Sequence, residues 1–314
     1  MDRYWIHGLG VESDVELDAD RDRDSSIDTW VRRQPDDSVR DDHGDGMIVA
    51  EFVAAGRRWW TATQGESGYL LQFHGKCDVG IDSQLTTLAY QPTVACGPEA
   101  VSLLVSGTGL SFLLGLRGSL VLHASGVQIG DQSVAFAGLP GMGKSTLAAL
   151  LCSVEGRLIS DDALRVDIGA PAPRCFRGTY QVRLRQAAAS VADLFPGKTP
   201  GRSPDDRLTI RPTPSEPACD LSALVIPHPS KQAKRLSTQR IDSAEAVFRL
   251  SPFLRIATWR RPDLVRQHFL QLGDLVRRVP VYELTVPWNT PFTGDFAMAL
   301  STTVEALAND NPLN

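Results

Sequence analysis

The octapeptide Gly138-Leu139-Pro140-Gly141-Met142-Gly143-Lys144-Ser145 constrains the chain more than any other stretch, because it fits the pattern G-x-x-x-x-G-K-[ST] in the setting that pattern requires. The apolar run Ser133-Val134-Ala135-Phe136-Ala137 precedes it and the helix-forming run Thr146-Leu147-Ala148-Ala149-Leu150-Leu151 follows. A strand, a tight loop and a helix are therefore predicted in that order. Glycines in such a loop let backbone N–H groups converge on phosphate, and the helix start adds unpaired N–H groups and a positive dipole end. Lys144 would place a point charge at the β- and γ-phosphates, and Ser145 a hydroxyl on Mg²⁺. Predicted nucleotide contacts run from Gly138, Leu139, Pro140, Gly141, Met142 and Gly143 through Lys144 and Ser145 to Thr146. A chance match within a strand–turn–helix unit is the competing explanation, and the complete Lys-Ser pair weighs against it.

Asp161 and Asp162 follow the short run Arg157-Leu158-Ile159-Ser160, 17 and 18 residues after Lys144. A helix from Lys144 to near Val154 rises ~16 Å at ~1.5 Å per residue. A return strand of five residues covers ~16 Å at ~3.3 Å each. A crossover of this length is expected to set the second strand parallel to the first and to end it beside the loop. Both carboxylates should then reach a bound Mg²⁺-triphosphate, one holding metal and the other taking a proton from an incoming hydroxyl. Their mutual repulsion should raise one proton affinity unless a metal offsets it. His123 stands 15 residues before Gly138 on the preceding strand and could face the same site, although a lone strand histidine is more often structural.

Together, His123, the loop from Gly138 to Ser145 and Gly156-Arg157-Leu158-Ile159-Ser160-Asp161-Asp162 resemble the catalytic core of the HPr kinase/phosphorylase family in both spacings. The resemblance covers residues 118 to 170 well and extends more loosely to about 288, through Arg183-Leu184-Arg185 and Val279-Pro280-Val281-Tyr282-Glu283-Leu284. It implies an α/β fold with a P-loop kinase core of the HPr kinase / phosphoenolpyruvate carboxykinase-like type. It also implies ATP- and Mg²⁺-dependent phosphorylation of a serine hydroxyl, with Asp161 as base, Asp162 and Ser145 on the metal, and His123 and Lys144 completing the catalytic set. Two departures bear on the substrate. Thr146 stands where enzymes acting on HPr usually carry Glu, and their glycine-rich signature has only a faint echo in Arg177-Gly178-Thr179-Tyr180. The chain looks more like divergent relatives, some of which phosphorylate lasso-peptide precursors. The expected acceptor is a peptide or small protein, with HPr itself, and phosphorolysis, as the alternative.

Other classes fit less well. A motor or switch NTPase usually carries a later strand ending in Asp or an N-K-x-D motif, whereas Leu221 to Ile226 runs into Pro227-His228. A nucleotide-sensing regulator without transfer activity stays open. Of Arg174, Arg177, Arg183 and Arg185, any could stabilise phosphoryl charge, and Arg183 is the preferred candidate.

Three parts are expected along the 314 residues: an acidic, β-rich module at 1–97, a helical connection at 98–117 and a catalytic domain at 118–314. Residues 1–46 hold 14 acidic and 6 basic residues of a chain whose formal charge is −5, so the remainder is nearly neutral and no nucleic-acid partner is expected. The run Asp18 to Asp24 lacks the glycine and distal glutamate of an EF-hand loop. Strands are predicted at Met47 to Ala54, Trp59 to Thr63, Tyr69 to His74 and Leu88 to Gln91, with Trp59-Trp60 as packing. One or two helices, interrupted at Gly107-Thr108-Gly109, are predicted from Pro98 to Leu116. A strand from Ser119 through Ile129 should turn at Gly130-Asp131 into the loop strand. Beyond the proline-rich stretch after Asp167, helices are predicted at Arg185 to Leu194, Ser243 to Leu250, Asp263 to Arg277 and Gly294 to Ala308, and strands at Leu221 to Ile226 and Val281 to Leu284. Five scattered cysteines suggest a reducing compartment, and no run near ~18 apolar residues is evident. Cytoplasmic location, no membrane partner and a homo-oligomer are the matching expectations.

Overall fold

The computed structural model describes residues 1–35, 46–197, 199–288 and 291–310. The chain divides into two compact units, Met1–Ser119 with Ile256–His268, and Leu120–Arg255 with Phe269–Asn314. Residues 98–117 belong to the first unit, and a later segment returns to it.

The first unit is a nine-stranded sheet built from β1 (Asp2–Ile6), β2 (Leu9–Ser13), β3 (Asp20–Arg21), β4 (Thr29–Arg33), β5 (Met47–Ala54), β6 (Arg57–Gln64), β7 (Gly68–Phe73), β8 (Cys77–Asp82) and β9 (Thr87–Pro92). Their order is β3-β1-β2-β4-β9-β8-β7-β6-β5. The turns His7-Gly8 and Ala55-Gly56 hold both residues at positive φ, the twist that suits two-residue hairpins. Period-two alternation is plain in β8, where Cys77, Val79 and Ile81 are buried between half-exposed neighbours. The same alternation divides Trp59 from Trp60: Trp60 is buried and stacks near Phe52, while Trp59 stands exposed beneath Arg57.

Helices α1 (Pro98–Leu104) and α2 (Leu110–Leu116) are joined by a π-helical turn, Val105–Gly109, so the expected interruption is a local widening of one continuous helix. Ser106 and Ser111 donate their hydroxyls to the carbonyls of Ser102 and Gly107 across this turn. Burial overrides the weak helix propensity of the glycines. By length and composition Pro98–Leu116 could cross a membrane, with mean hydropathy 1.6, which corrects the expectation that no such run exists; its small Gly, Ser and Thr residues disguise it in the sequence. Some 61% of that stretch is buried within the protein.

The second unit is a three-layer α/β arrangement. Its strands are β10 (Leu120–Leu122), β11 (Ala124–Ile129), β12 (Gln132–Ala137), β13 (Arg157–Ser160), β14 (Leu164–Asp167), β15 (Arg174–Phe176), β16 (Val182–Leu184), β17 (Gly201–Arg202), β18 (Leu208–Ile210), β19 (Ala218–Ser230), β20 (Ser237–Ile241) and β21 (Val281–Pro287). Its helices are α3 (Lys144–Cys152), α4 (Ser243–Leu250), α5 (Pro262–Arg278, shared with the first unit) and α6 (Gly294–Asn309), with a kinked 3₁₀ helix at Gln186–Leu194. β12 and β21 pair in parallel with β19, and β11 forms the expected hairpin with β12. Two differences from expectation concern the site. The strand predicted from Ser119 to Ile129 divides at His123, because β10 pairs with β14 whereas β11 pairs with β12 and β13. In addition, β13 runs in the direction of β12 but lies beyond β11, antiparallel to it, so the crossover skips one strand.

Both sheet faces are covered. Val134 and Phe136 pack with Leu147, Leu150 and Leu300 of α3 and α6, while Ala135 and Ala137 pack with Leu164, Leu250 and Leu275 on the opposite side. A strand buried on both faces reads as an unbroken apolar run, which is what precedes the glycine-rich loop. Phe136 is wholly buried. Phe136→Ala should cost about 3–5 kcal/mol through lost burial and a cavity beneath α3, read as a lower urea midpoint at unchanged slope.

Candidate functional site

The loop leaves β12 at Ala137 and opens α3 at Lys144. Gly141 and Gly143 lie at φ 95° and 87°, a left-handed backbone that favours glycine, and Gly143 caps the helix without any side-chain acceptor. The first-turn N–H groups of α3 therefore meet no cap side chain. Lys144 is 6% exposed and donates from Nζ to the Leu139 carbonyl at 3.1 Å. Burial pushes its ammonium down to about 8, against the upward pull of Asp162 and Asp161. Leu139 is exposed at the tip, Thr146 is buried, Met142 receives the Leu139 N–H on its sulfur, and the Arg185 guanidinium faces Gly141. The indole of Trp288 packs against Gly143.

The two aspartates at the end of β13 have different surroundings. Asp161 is 6% exposed, and its Oδ1 accepts the hydroxyls of Ser125 at 2.6 Å and Ser145 at 2.8 Å, while its Oδ2 accepts the Arg183 backbone N–H at 3.2 Å. Asp162 has φ 73°, and this left-handed turn swings the next carboxylate elsewhere. Its Oδ2 meets Arg255 Nη2 at 3.0 Å and Arg183 Nη2 at 3.5 Å, and its Oδ1 meets His123 Nε2 at 3.5 Å. Burial alone would raise the Asp162 pKa, but Arg255, His123, Arg183 and Lys144 outweigh it and hold the carboxyl well below the usual range. Burial drives His123 down to about 3 despite Asp162, leaving the imidazole neutral at pH 7.

His123, Lys144, Ser145, Asp161, Asp162 and Arg183 thus come together. Arg183 bridges the aspartates and also reaches Asp205 at 3.4 Å. Arg174 pairs with Asp220 at the surface, and Arg177 donates to the Ser215 carbonyl. Sequence reasoning missed Arg255, 93 residues beyond Asp162, and Ser125, buried on β11. For Ser125 a signal existed: it stands two residues beyond His123, on the strand next to the loop strand. Among the described residues no group of three or more His, Cys, Asp or Glu side chains could by itself hold a metal. A Mg²⁺ ion fits nonetheless, since it takes one or two carboxylates and completes its shell with phosphate and water. Ser145 and Asp161, joined by a hydrogen bond, are the groups that could hold it, in place of the expected pair Ser145 and Asp162.

No protein-family profile matches the chain, and no curated protein matches it. Among solved structures, the Hpr(Ser) kinase/phosphatase from Coxiella burnetii is similar at 14% identity and a TM-score of 0.31, over 59% of this chain and 94% of that chain.

Arg255 is the nearest cation to Asp162. Arg255→Gln should raise the Asp162 pKa toward the ordinary value of about 3.9, read from carboxyl ¹³C shifts during a pH titration. An unmoved titration would uncouple the two groups.

Proposed function

We propose that the chain is an ATP-dependent kinase that transfers a phosphoryl group to a serine-type hydroxyl of a peptide or small protein, a lasso-peptide precursor being the acceptor the sequence resemblance favours. The observation that carries this reading is the division of labour between adjacent carboxylates: Asp161 bonded to Ser145 of the glycine-rich loop, Asp162 turned into the Arg255, Arg183 and His123 cluster.

The main-chain N–H groups around Gly141 and Gly143 and the Lys144 ammonium bind and orient the triphosphate. Mg²⁺ held by Ser145 and Asp161 would neutralise phosphate charge. Asp161 accepts the Ser145 hydroxyl proton, which leaves the oxygen lone pairs of Ser145 free to ligate a metal. The contacts favour exchanging the two roles the resemblance implies, with Asp161 on the metal side and Asp162 toward the acceptor. Asp162 Oδ1 accepts the acceptor hydroxyl's proton as the oxygen attacks, and the neutral His123 imidazole holds that carboxylate in place. A carboxylate with so depressed a pKa is a weak base, so most of the rate comes from orientation and from the Arg183 and Arg255 guanidinium charges beside the transferred group.

Asp162→Asn should lower transfer by about 10²–10⁴-fold with Mg-ATP affinity preserved, whereas Asp161→Asn should weaken Mg-ATP binding itself. The assay is mass gain of one phosphate on serine-bearing peptides in the presence of Mg-ATP. Brisk phosphate release with no labelled acceptor would instead mark a hydrolase. Because Lys144 titrates near 8 in the free protein, binding above that pH requires proton uptake. Affinity for tripolyphosphate should then fall with rising pH by up to about tenfold per unit, and Lys144→Arg should flatten the profile since a guanidinium keeps its proton.

A further inference from the structure

Gly143 and Trp288 form a contact that phosphate binding alone does not require. A methyl group added to Gly143 would collide with the six-membered ring of Trp288, so the indole lies directly against the loop backbone. Trp288 follows immediately on β21, and its own N–H donates to the Ser230 carbonyl at the end of β19, 3.0 Å away. These two neighbouring parallel strands therefore set the height of the ring above the sheet edge. Phe292 meets it edge to face, with centroids 5.1 Å apart at 75°, and Phe296 follows Phe292 at 5.4 Å. Phe292 is 4% exposed and anchors the row in the core, whereas Trp288 is only half-buried.

An indole used purely as packing gains most from complete burial. Trp288 is instead only half-buried, and it packs against the loop glycine that immediately precedes Lys144. Resting on the nucleotide-binding reading, we propose that Trp288 is the stacking surface for the base of a bound purine nucleotide, with the Phe292–Phe296 row holding the indole rigid. The phosphates would lie along Gly141, Gly143 and Lys144, beside the Arg185 guanidinium, and the base would turn back onto the ring. A purine offers a larger π-face than a pyrimidine, and stacking on an aromatic side chain tolerates either purine. The site would thus select ring size before it selects exocyclic groups.

The test measures binding of Mg-ATP, Mg-CTP and inorganic tripolyphosphate to the full chain by calorimetry, for the unsubstituted protein and for W288F, W288L and W288A, each checked for native circular dichroism. The expected result is a loss of about tenfold or more in ATP affinity for W288A and W288L, near-native affinity for W288F, and tripolyphosphate affinity unchanged throughout. The unsubstituted protein should also prefer ATP to CTP. W288L keeps apolar bulk against Gly143, so it separates stacking from support even where W288A fails to fold. Equal losses for ATP and tripolyphosphate, or an ATP affinity indifferent to W288L, would overturn the proposal and leave the phosphate site standing. Failure of all three ligands to bind the unsubstituted protein would overturn the nucleotide-binding reading and this proposal with it.

Discussion

A carboxylate removed from water needs hydrogen-bond donors within the protein, and Asp161 finds three. They come from different elements: Ser125 on β11, Ser145 at the start of α3 and the main chain of β16. One side chain therefore pins the sheet, the glycine-rich loop and the segment carrying Arg183 to a common point. The loop's own shape depends on this. Its glycines permit many backbone paths, and the Ser145–Asp161 bond contributes to selecting one of them.

From that fixed point the turn at Asp162 acquires its meaning. Consecutive residues on an extended strand place their side chains on opposite faces, but the strand ends at Ser160 and Asp162 is left-handed. The second carboxylate thereby enters the cluster of Arg255, Arg183 and His123, where the positive charge of the two guanidiniums and of Lys144 overcomes the cost of its burial. Burial, helped by the charges of Lys144, Arg255 and Arg183, keeps His123 neutral. Two chemically identical groups, adjacent in sequence, acquire separate environments without any insertion between them.

Much of this was legible in the sequence, and the illegible parts have physical reasons. The loop, the start of α3, the Gly130-Asp131 hairpin and β13 announce themselves through glycine placement and short apolar runs. β1 to β4 were not foreseen, because strands of two to five residues scattered among aspartates leave too few periods to recognise. The division at His123 was hidden because both halves are apolar and differ only in their pairing partners. Arg255 could not be found at all from spacing: it reaches the site through the pairing of its own backbone N–H with the Val121 carbonyl, a tertiary contact. Arg183 was singled out only as a charge, whereas its backbone turns out to matter equally.

That double engagement separates two dependences on one residue. Arg183 serves Asp161 through its peptide N–H and Asp162 through its guanidinium. The first service is blind to which amino acid occupies the position, provided it is not proline; the second depends on it entirely. Substitution at position 183 therefore retunes the second carboxylate while the first stays seated, without dismantling the scaffold that holds the loop.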